Sequence, residues 1–538
     1  MQGGSAHACT LSPAPEPPGA SIRTTNPLHT RTIGPLVTAL TLTDADLADL
    51  AADAVVIGVL NGAAGPSLAP GSEAVDAALG GGLLAALGAL GATGAEDEVV
   101  KLATLGALKT PVVAAAGLGQ HTGAVTDEAV RRAAGAASRA LGGRATVVST
   151  LALVNGEPTA DLLQAVGEGS LLGAYEFSVY KSKAAPAHRR PPSAVRLAVP
   201  SAKDRGAKTA AKRASAVVDA VTLCRDLINT APNDLYPASF AARADRAGAA
   251  AGLTVEVLDE KALKKGGYGG ILGVGMGSSR PPRLVRMSYK GRGAKTRLAL
   301  VGKGITFDTG GISIKPAASM ENMKSDMSGA AAIVSTMTLI AALKLPIEVV
   351  ATVPMAENMP GGAAYRPADV LKFRNGTMAE ILNTDAEGRV VLADAIARAC
   401  EDSPAYLVET STLTGAQVVA LGLRTAGVMG SDDLRERVLA AGRRSGEGMW
   451  GMPLPPEVRT GLDSTVADFA NVGDRSGGML AGGHFLSEFV TDGIQWAHID
   501  IAGPAYNTGS PWGYTHKGGT GVPVRTLLEL IEDIAENG

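Results

Sequence analysis

The sequence predicts an α/β protein in three parts: a smaller N-terminal α/β domain, a connecting helix, and a larger C-terminal doubly wound α/β domain. Two observations carry that expectation. Short apolar runs of strand length alternate with Ala-rich segments of helix length along both halves. A basic, Pro-interrupted stretch separates the halves. The chain has 538 residues, 46% hydrophobic and 19% charged, which supplies a sizeable core and excludes disorder for most of the length. Its 68 Gly and 30 Pro stay below the share that marks low-complexity chains. Aromatic residues are only 4%, so the core has to be built from Ala, Val, Leu and Ile.

Residues 1–32 are rich in Pro, Gly, Ala and Thr and lack a continuous apolar run, so a floppy tail is expected rather than a secretory signal. Residues 33–200 form the N-terminal domain. Runs 54–60, 112–116 and 145–153 read as buried strands and 127–141 as a helix, the alternation of a mostly parallel sheet. Segment 77–95 is uncharged and about as long as a membrane span. It is broken by Gly80, Gly81, Gly82, Gly88, Gly91 and Gly94 and flanked by Asp76 and Glu96, and reads as loop and buried helix. Residues 201–230 are the linker, helical over 207–230. Residues 231–538 are the C-terminal domain, with strands at 297–301, 347–353, 379–382 and 405–408 and helices at 328–343 and 390–400. No internal repeat is visible.

Net charge is −3, from 49 basic and 52 acidic residues, which gives no global attraction to nucleic acid or anionic membrane. The basic run over 181–213 has no interleaved aromatics and reads as a solvated linker. Cys9, Cys224 and Cys400 are odd in number and far apart, which suits a reducing, cytoplasmic setting and no disulfide framework.

Familiar catalytic motifs fail. Gly273-Val274-Gly275-Met276-Gly277 is followed by Ser278 where a dinucleotide fingerprint wants glycine. There is no P-loop, no G-x-S-x-G and no H-E-x-x-H, and the seven histidines lack ligand spacing. What stands out is acid in apolar, Gly-rich surroundings. Asp308 lies in Gly302-Lys303-Gly304-Ile305-Thr306-Phe307-Asp308-Thr309-Gly310-Gly311, just after a strand. Lys315 follows, then Lys324-Ser325-Asp326 before a helix, and Asn383-Thr384-Asp385-Ala386-Glu387-Gly388-Arg389 opens another. Taken singly, each has an ordinary role: Asp326 an N-cap, Asp385 an Asx-turn, Glu387 a solvated first-turn acid, Lys303 and Lys315 surface lysines. Arg389 at a helix start opposes the macrodipole and favours an anion-binding role. Four carboxylates aimed into one crevice cannot all stay ionised without compensation, and two divalent cations would cancel them. Oxygen ligands suit Mg or Mn, and carboxylates also bind Zn.

The octapeptide Asn383-Thr384-Asp385-Ala386-Glu387-Gly388-Arg389-Val390 resembles the signature of the leucyl aminopeptidases, the cytosol aminopeptidase family of dinuclear metallo-exopeptidases. The family usually has Leu where Val390 stands. Val301 through Pro316, Met323 through Ala331, Asn229 through Leu235, Ser411 through Ala416 and His498 through Gly503 resemble it as well. The likeness covers most of the chain from about Arg225 onward and is weak before it, confined to Gly173-Ala174-Tyr175 through Lys181-Ser182-Lys183.

The resemblance implies a two-domain homohexamer acting on peptides, with Asp308 and Glu387 bridging two metals. Asp385 would complete the more exchangeable ion, and Lys303 and Asp326 the tighter one. Lys315 would face the substrate carbonyl, and Arg389 would hold bicarbonate as general base. Asn383 and Leu413 would lie along the peptide. Met323, Thr412, Gly415 and Ala502 would line the pocket for the N-terminal side chain. Before Thr-Leu-Thr-Gly-Ala the family tends to show Asp-x-Ala, where this chain has Glu409-Thr410-Ser411. The implied reaction is metal-assisted removal of an N-terminal residue, preferably leucine or another apolar one. A two-metal phosphoesterase would use a similar carboxylate set, but here Lys315 and Arg389 are the only extra cations and no histidine acid is present. A non-enzymatic nucleic-acid-binding reading would rest on the 181–213 stretch alone and would show as salt-dependent duplex binding.

Overall fold

A computed structural model describes residues 38–538; the expected tail at 1–32 and Cys9 lie outside the described residues. The first sheet has strand order Ala39–Thr43, Ala194–Ala198, Thr146–Ser149, Ala54–Gly62, Val112–Gly117, Val99–Ala103, with Gly65–Leu68 paired to Ala54–Gly62. Its first five strands run parallel, as the alternation predicts, and Val99–Ala103 is antiparallel at the edge. The 145–153 run is shorter as a strand than expected. It ends at Ser149, and Leu151–Leu153 turn into a 3-10 helix. The uncharged 77–95 segment holds the end of helix Glu73–Ala78 and the helix Leu83–Ala89, whose Leu83 and Leu87 are buried.

Helix Arg205–Asn229 follows, capped by the Asp204 carboxylate, which accepts from Ala207 N. It carries a half-buried acid, Asp226, whose Oδ1 accepts from the Tyr175 hydroxyl at 2.8 Å. Burial pushes this carboxyl up to about 6 from an ordinary 3.8. An acid raised on folding stabilises fully below its unfolded pKa and loses that contribution as pH rises through its folded one. Asp226→Asn is therefore expected to remove about 2 kcal/mol of the wild-type stability loss between pH 4 and 7. Urea titrations of both proteins at the two pH values check it.

The second sheet has order Gly448–Gly451, Thr425–Gly430, Gln495–Asp500, Tyr406–Ser411, Arg297–Gly302, Glu348–Asn358, Arg283–Lys290, Thr254–Leu258. Its four central strands, Gln495–Asp500 to Glu348–Asn358, are parallel, and antiparallel strands flank them. Alternation along a strand sends successive side chains to opposite faces. Leu298 and Leu300 join a core with helices Arg205–Asn229, Ser328–Leu343 and Val524–Asn537, while Ala299 and Val301 join one with helices Gly269–Gly275, Glu387–Cys400 and Gly478–Ser487. Helices thus cover both faces. One expected strand falls elsewhere: 379–382 is observed as Met378–Glu380, in a small separate sheet between Val370–Lys372 and Phe469–Ala470.

Candidate active site

The central strands end at Gly302, Asn358, Ser411 and Asp500, and in an open α/β sheet the crevice beyond such ends is where ligands sit. Lys303 follows Gly302 directly, and its backbone is pinned on both sides. Lys303 N donates to Thr410 O at 3.2 Å, and Lys303 O accepts from Ala330 N at 2.8 Å. Asp308 ends the short strand Gly304–Asp308, which pairs in parallel with the C-terminal residues Met355–Asn358 of strand Glu348–Asn358. Its Oδ1 accepts from Asn358 Nδ2 and Gly310 N, both at 2.8 Å. Gly310 has φ +86°, and a Cβ there would sit 2.4 Å from Ser313 O and 2.9 Å from Asp385 Oδ1, so the turn needs glycine.

The ordinary roles do not describe these residues. The N-cap of helix Ser328–Leu343 is Met327, and Asp326 instead accepts from Lys303 Nζ (2.7 Å) and Thr412 Oγ1 (2.8 Å). Asn383, not Asp385, makes the Asx-type contact, accepting from Asp385 N at 2.9 Å. Glu387 is 1% exposed and Lys303 3%. Lys303 Nζ lies 2.7 Å from Asp326 Oδ2 and 2.8 Å from Glu387 Oε1. Lys315 Nζ is 2.8 Å from Asp308 Oδ2 and contacts Asp385 Oδ1. One oxygen from each of Asp308, Asp385 and Glu387 lies within 4.8 Å of the others. Four carboxylates from three stretches of chain therefore converge on two lysines.

Burial raises the Asp308, Asp326 and Asp385 carboxyls above the usual range. Burial alone would lower the lysines, but Asp326, Glu387 and Asp308 hold Lys303 well above its ordinary value, and Asp308, Glu387 and Asp385 do the same for Lys315. By formal charge, four acids against two ammonium groups leave an excess of two negative charges in a largely buried pocket. Asp326 Oδ2, Asp385 Oδ1 and Glu387 Oε1 are buried and lack a hydrogen bond, since the lysines approach them at ion-pair distance without hydrogen-bond geometry. Surplus charge, free lone pairs and all-oxygen acids plus an amine fit divalent cations.

Gly388 leaves room for the Lys303 side chain: a Cβ there would lie 2.4 Å from Cε and 2.8 Å from Nζ. Lys303 cannot swing aside, because Asp326, Glu387 and the Thr412 carbonyl (3.0 Å) hold its ammonium. Gly388→Ala is expected to weaken divalent-metal binding by about tenfold or more, read by calorimetry.

Arg389, one residue on, is 7% exposed, and burial lowers its guanidinium to about 10, still cationic at neutral pH. Its Nη1 donates to Asn471 O at 2.9 Å, its Nε has no partner, and among the described residues no carboxylate forms an ion pair with it. A cation in the first turn of helix Glu387–Cys400 with a free buried N–H fits a small anion.

The residues expected around the substrate are distributed as follows. Thr412 touches both Lys303 and Asp326. Leu413 N and Ala502 N both donate to Asp500 Oδ1 at 3.1 Å, and Thr414 Oγ1 donates to Oδ2 at 2.7 Å. Met323 sits in the 3-10 helix Met320–Ser325, its carbonyl accepting from Asp326 N at 3.3 Å. Gly415 opens helix Gly415–Leu421 and is exposed.

Sequence reasoning missed Asn358, Tyr365 and Asn471, and gave no role to Thr384 and Asp500. Thr384 O accepts from Asn358 Nδ2 and Tyr365 OH, both at 2.9 Å, and Thr384 Oγ1 donates to Gly310 O at 2.7 Å. This ties the Asp308 turn to the Asp385 loop. A buried pair, Glu409 and His498 Nδ1, lies on neighbouring strands below, in register. Here burial would lower the imidazole and Glu409 raises it, with a net rise. Asn and Tyr outside any motif carry no sequence signal; only the fold brings them in.

The family model described as cytosol aminopeptidase family, catalytic domain, matches residues 222–528, and that family's N-terminal domain model matches residues 23–184. The chain belongs to the cytosol aminopeptidase family. A probable cytosol aminopeptidase of Rhodococcus jostii is 55% identical over 490 residues, covering 90% of this chain and 95% of that protein. One from Mycobacterium tuberculosis is 57% identical over 462 residues, covering 84% and 88%. Among solved structures, a mutant of tomato leucine aminopeptidase superposes with TM-score 0.82 at 29% identity, covering 92% and 96%. The bottromycin maturation enzyme BotP in complex with Mn gives TM-score 0.80 at 38% identity, covering 90% and 100%. As a cytosol aminopeptidase, the chain is a peptide-bond hydrolase of the metal-dependent type, with the two-domain α/β architecture of its family.

Proposed function

We propose that this aminopeptidase removes leucine, or another apolar residue, from the N-terminus of peptides with the help of two divalent ions and a bound bicarbonate. The observation that carries the reading is the convergence of four acids and two lysines with two negative charges in excess. Lys303, Asp308, Asp326, Asp385 and Glu387 would hold the ions, which can be Mn, Zn or Mg; Lys303 would have to bind as the neutral amine. When bound, such ions supply Lewis acidity, lowering the pKa of water and polarising a carbonyl.

The chain's own groups do the rest. Lys315, only partly exposed and kept cationic by its acidic neighbours, would donate to the scissile carbonyl oxygen as charge develops there. Arg389 and the helix start would hold bicarbonate, which serves as general base. Asn383 and the Leu413 backbone would lie along the peptide. Met323, Thr412, Gly415 and Ala502 would border the side-chain pocket, with Asp500 accepting from Leu413, Thr414 and Ala502 beside it. The tomato leucine aminopeptidase likeness supports the leucine preference, and the BotP complex supports manganese.

The same reading takes residues 33–200 as the N-terminal domain, 201–230 as the linker helix and 231–538 as the catalytic domain. It makes the assembly a homohexamer in the cytoplasm, in keeping with relatives named cytosol aminopeptidases. Comparing leucine p-nitroanilide with a phosphate ester tests the activity. Hydrolysis of the anilide alone is expected, and hydrolysis of the ester alone contradicts the reading.

A further inference from the structure

We infer that Asn471 is a positioning residue of the active site, fixing the Asp385 loop and the Arg389 guanidinium relative to each other. The inference deepens the proposed function and rests on it. Asn471 is fully buried and follows the two-residue strand Phe469–Ala470, far along the chain from the residues it serves. Its backbone N–H donates to Glu380 O at 2.9 Å, continuing the small sheet by one rung.

The side chain then takes over where the sheet stops. Residues 382–386 have no helical or strand ladder of their own, yet their backbone groups lie close to the buried cluster. Buried backbone N–H and C=O groups need partners. Asn471 Oδ1 accepts from Leu382 N (2.8 Å) and Asn383 N (3.3 Å). Its Nδ2 donates to Asn383 O (2.7 Å) and, at 3.5 Å, to Ala386 O. A side-chain amide offers acceptor lone pairs and two N–H donors at one end without charge, which is the set this loop uses. Asn383 passes the constraint on, accepting from Asp385 N at 2.9 Å. The main-chain carbonyl of Asn471 meanwhile accepts from Arg389 Nη1 at 2.9 Å. One residue therefore touches the acid-bearing loop with its side chain and the candidate anion-holding cation with its backbone.

The distinction from a merely structural amide is testable on the full-length chain. Asn471→Asp keeps an oxygen for the Leu382 and Asn383 N–H groups but turns a second oxygen toward the Asn383 and Ala386 carbonyls. Asn471→Ala removes all four contacts. Wild type and both variants are stripped of metal, checked for fold by circular dichroism, and titrated with Mn²⁺ by calorimetry. They are then assayed on leucine p-nitroanilide with and without added bicarbonate. Folded Asn471→Asp is expected to bind Mn²⁺ about ten- to a hundredfold more weakly, the scale on which residues behind metal ligands act. Its kcat is expected to fall with less change in KM, and its bicarbonate response to shrink. A lowered melting temperature with wild-type Mn²⁺ affinity, kcat and bicarbonate response overturns the inference. So does failure of both variants to fold, which makes the residue one the fold requires. Wild type in the same titrations separates the two levels: no Mn²⁺ binding by wild type defeats the proposed function itself, whereas an active wild type with unaltered variants defeats only the role of Asn471.

Discussion

Replacing Asp385 by alanine is expected to abolish turnover of leucine p-nitroanilide, by about a thousandfold or more, in a protein that stays folded. The two halves of that result have separate causes. Asp385 sits on an irregular loop, its side chain is one-third exposed, and one of its buried oxygens has no hydrogen bond. Little of the fold depends on it. Burial already disfavours its charged form, so alanine relieves repulsion within the acidic cluster rather than opening a hole in a packed core. The site, in contrast, loses one of three acids whose oxygens lie within 4.8 Å, and Lys315 keeps only Asp308 as a close partner. Circular dichroism and thermal melting check the fold, and steady-state kinetics check the loss. Wild-type-like hydrolysis by the variant would overturn the assignment.

Arg389→Ala is expected to lose part of the rate, by about a hundredfold, and to lose activation by added bicarbonate. The guanidinium is buried with its Nε unpartnered, so the wild-type site is built to receive an acceptor there. Alanine removes the charge but leaves Lys303, Lys315 and the four acids in place, which is why turnover falls without vanishing. Rates measured across a bicarbonate series in both proteins decide the matter. An undiminished bicarbonate response in the variant would remove Arg389 from that role.

The sequence was most informative where chemistry is local. The buried strands at 297–301 and 405–408 and the helix at 328–343 are found close to their expected bounds, because continuous apolar runs flanked by polar turns leave little choice. The expectation that polar clusters fall beyond strand ends also holds for Lys303, directly after Arg297–Gly302. It was less informative where pairing decides. The 379–382 run reads like a main-sheet strand, yet it pairs with Phe469–Ala470, a partner too short and too distant to be seen in a linear pattern. The acidic residues announced themselves through their motifs. Asn358, Asn471 and Tyr365 did not, since an amide or a phenol acquires meaning only from the backbone groups that the fold sets against it. The buried partnership of Glu409 and His498 was hidden for the same reason: each is unremarkable until adjacent strands bring them into register.

The central claim is that a buried excess of carboxylate is neutralised by bound cations that the reaction requires. Its most direct test is calorimetric titration of metal-stripped protein with Mn²⁺, with peptidase activity followed on the same samples. Two ions bound per chain, with activity rising from near zero as they bind, is the predicted result. Full activity in the stripped protein, or saturation without any Mn²⁺ bound at this cluster as judged by unchanged binding in Asp385→Ala, would contradict it.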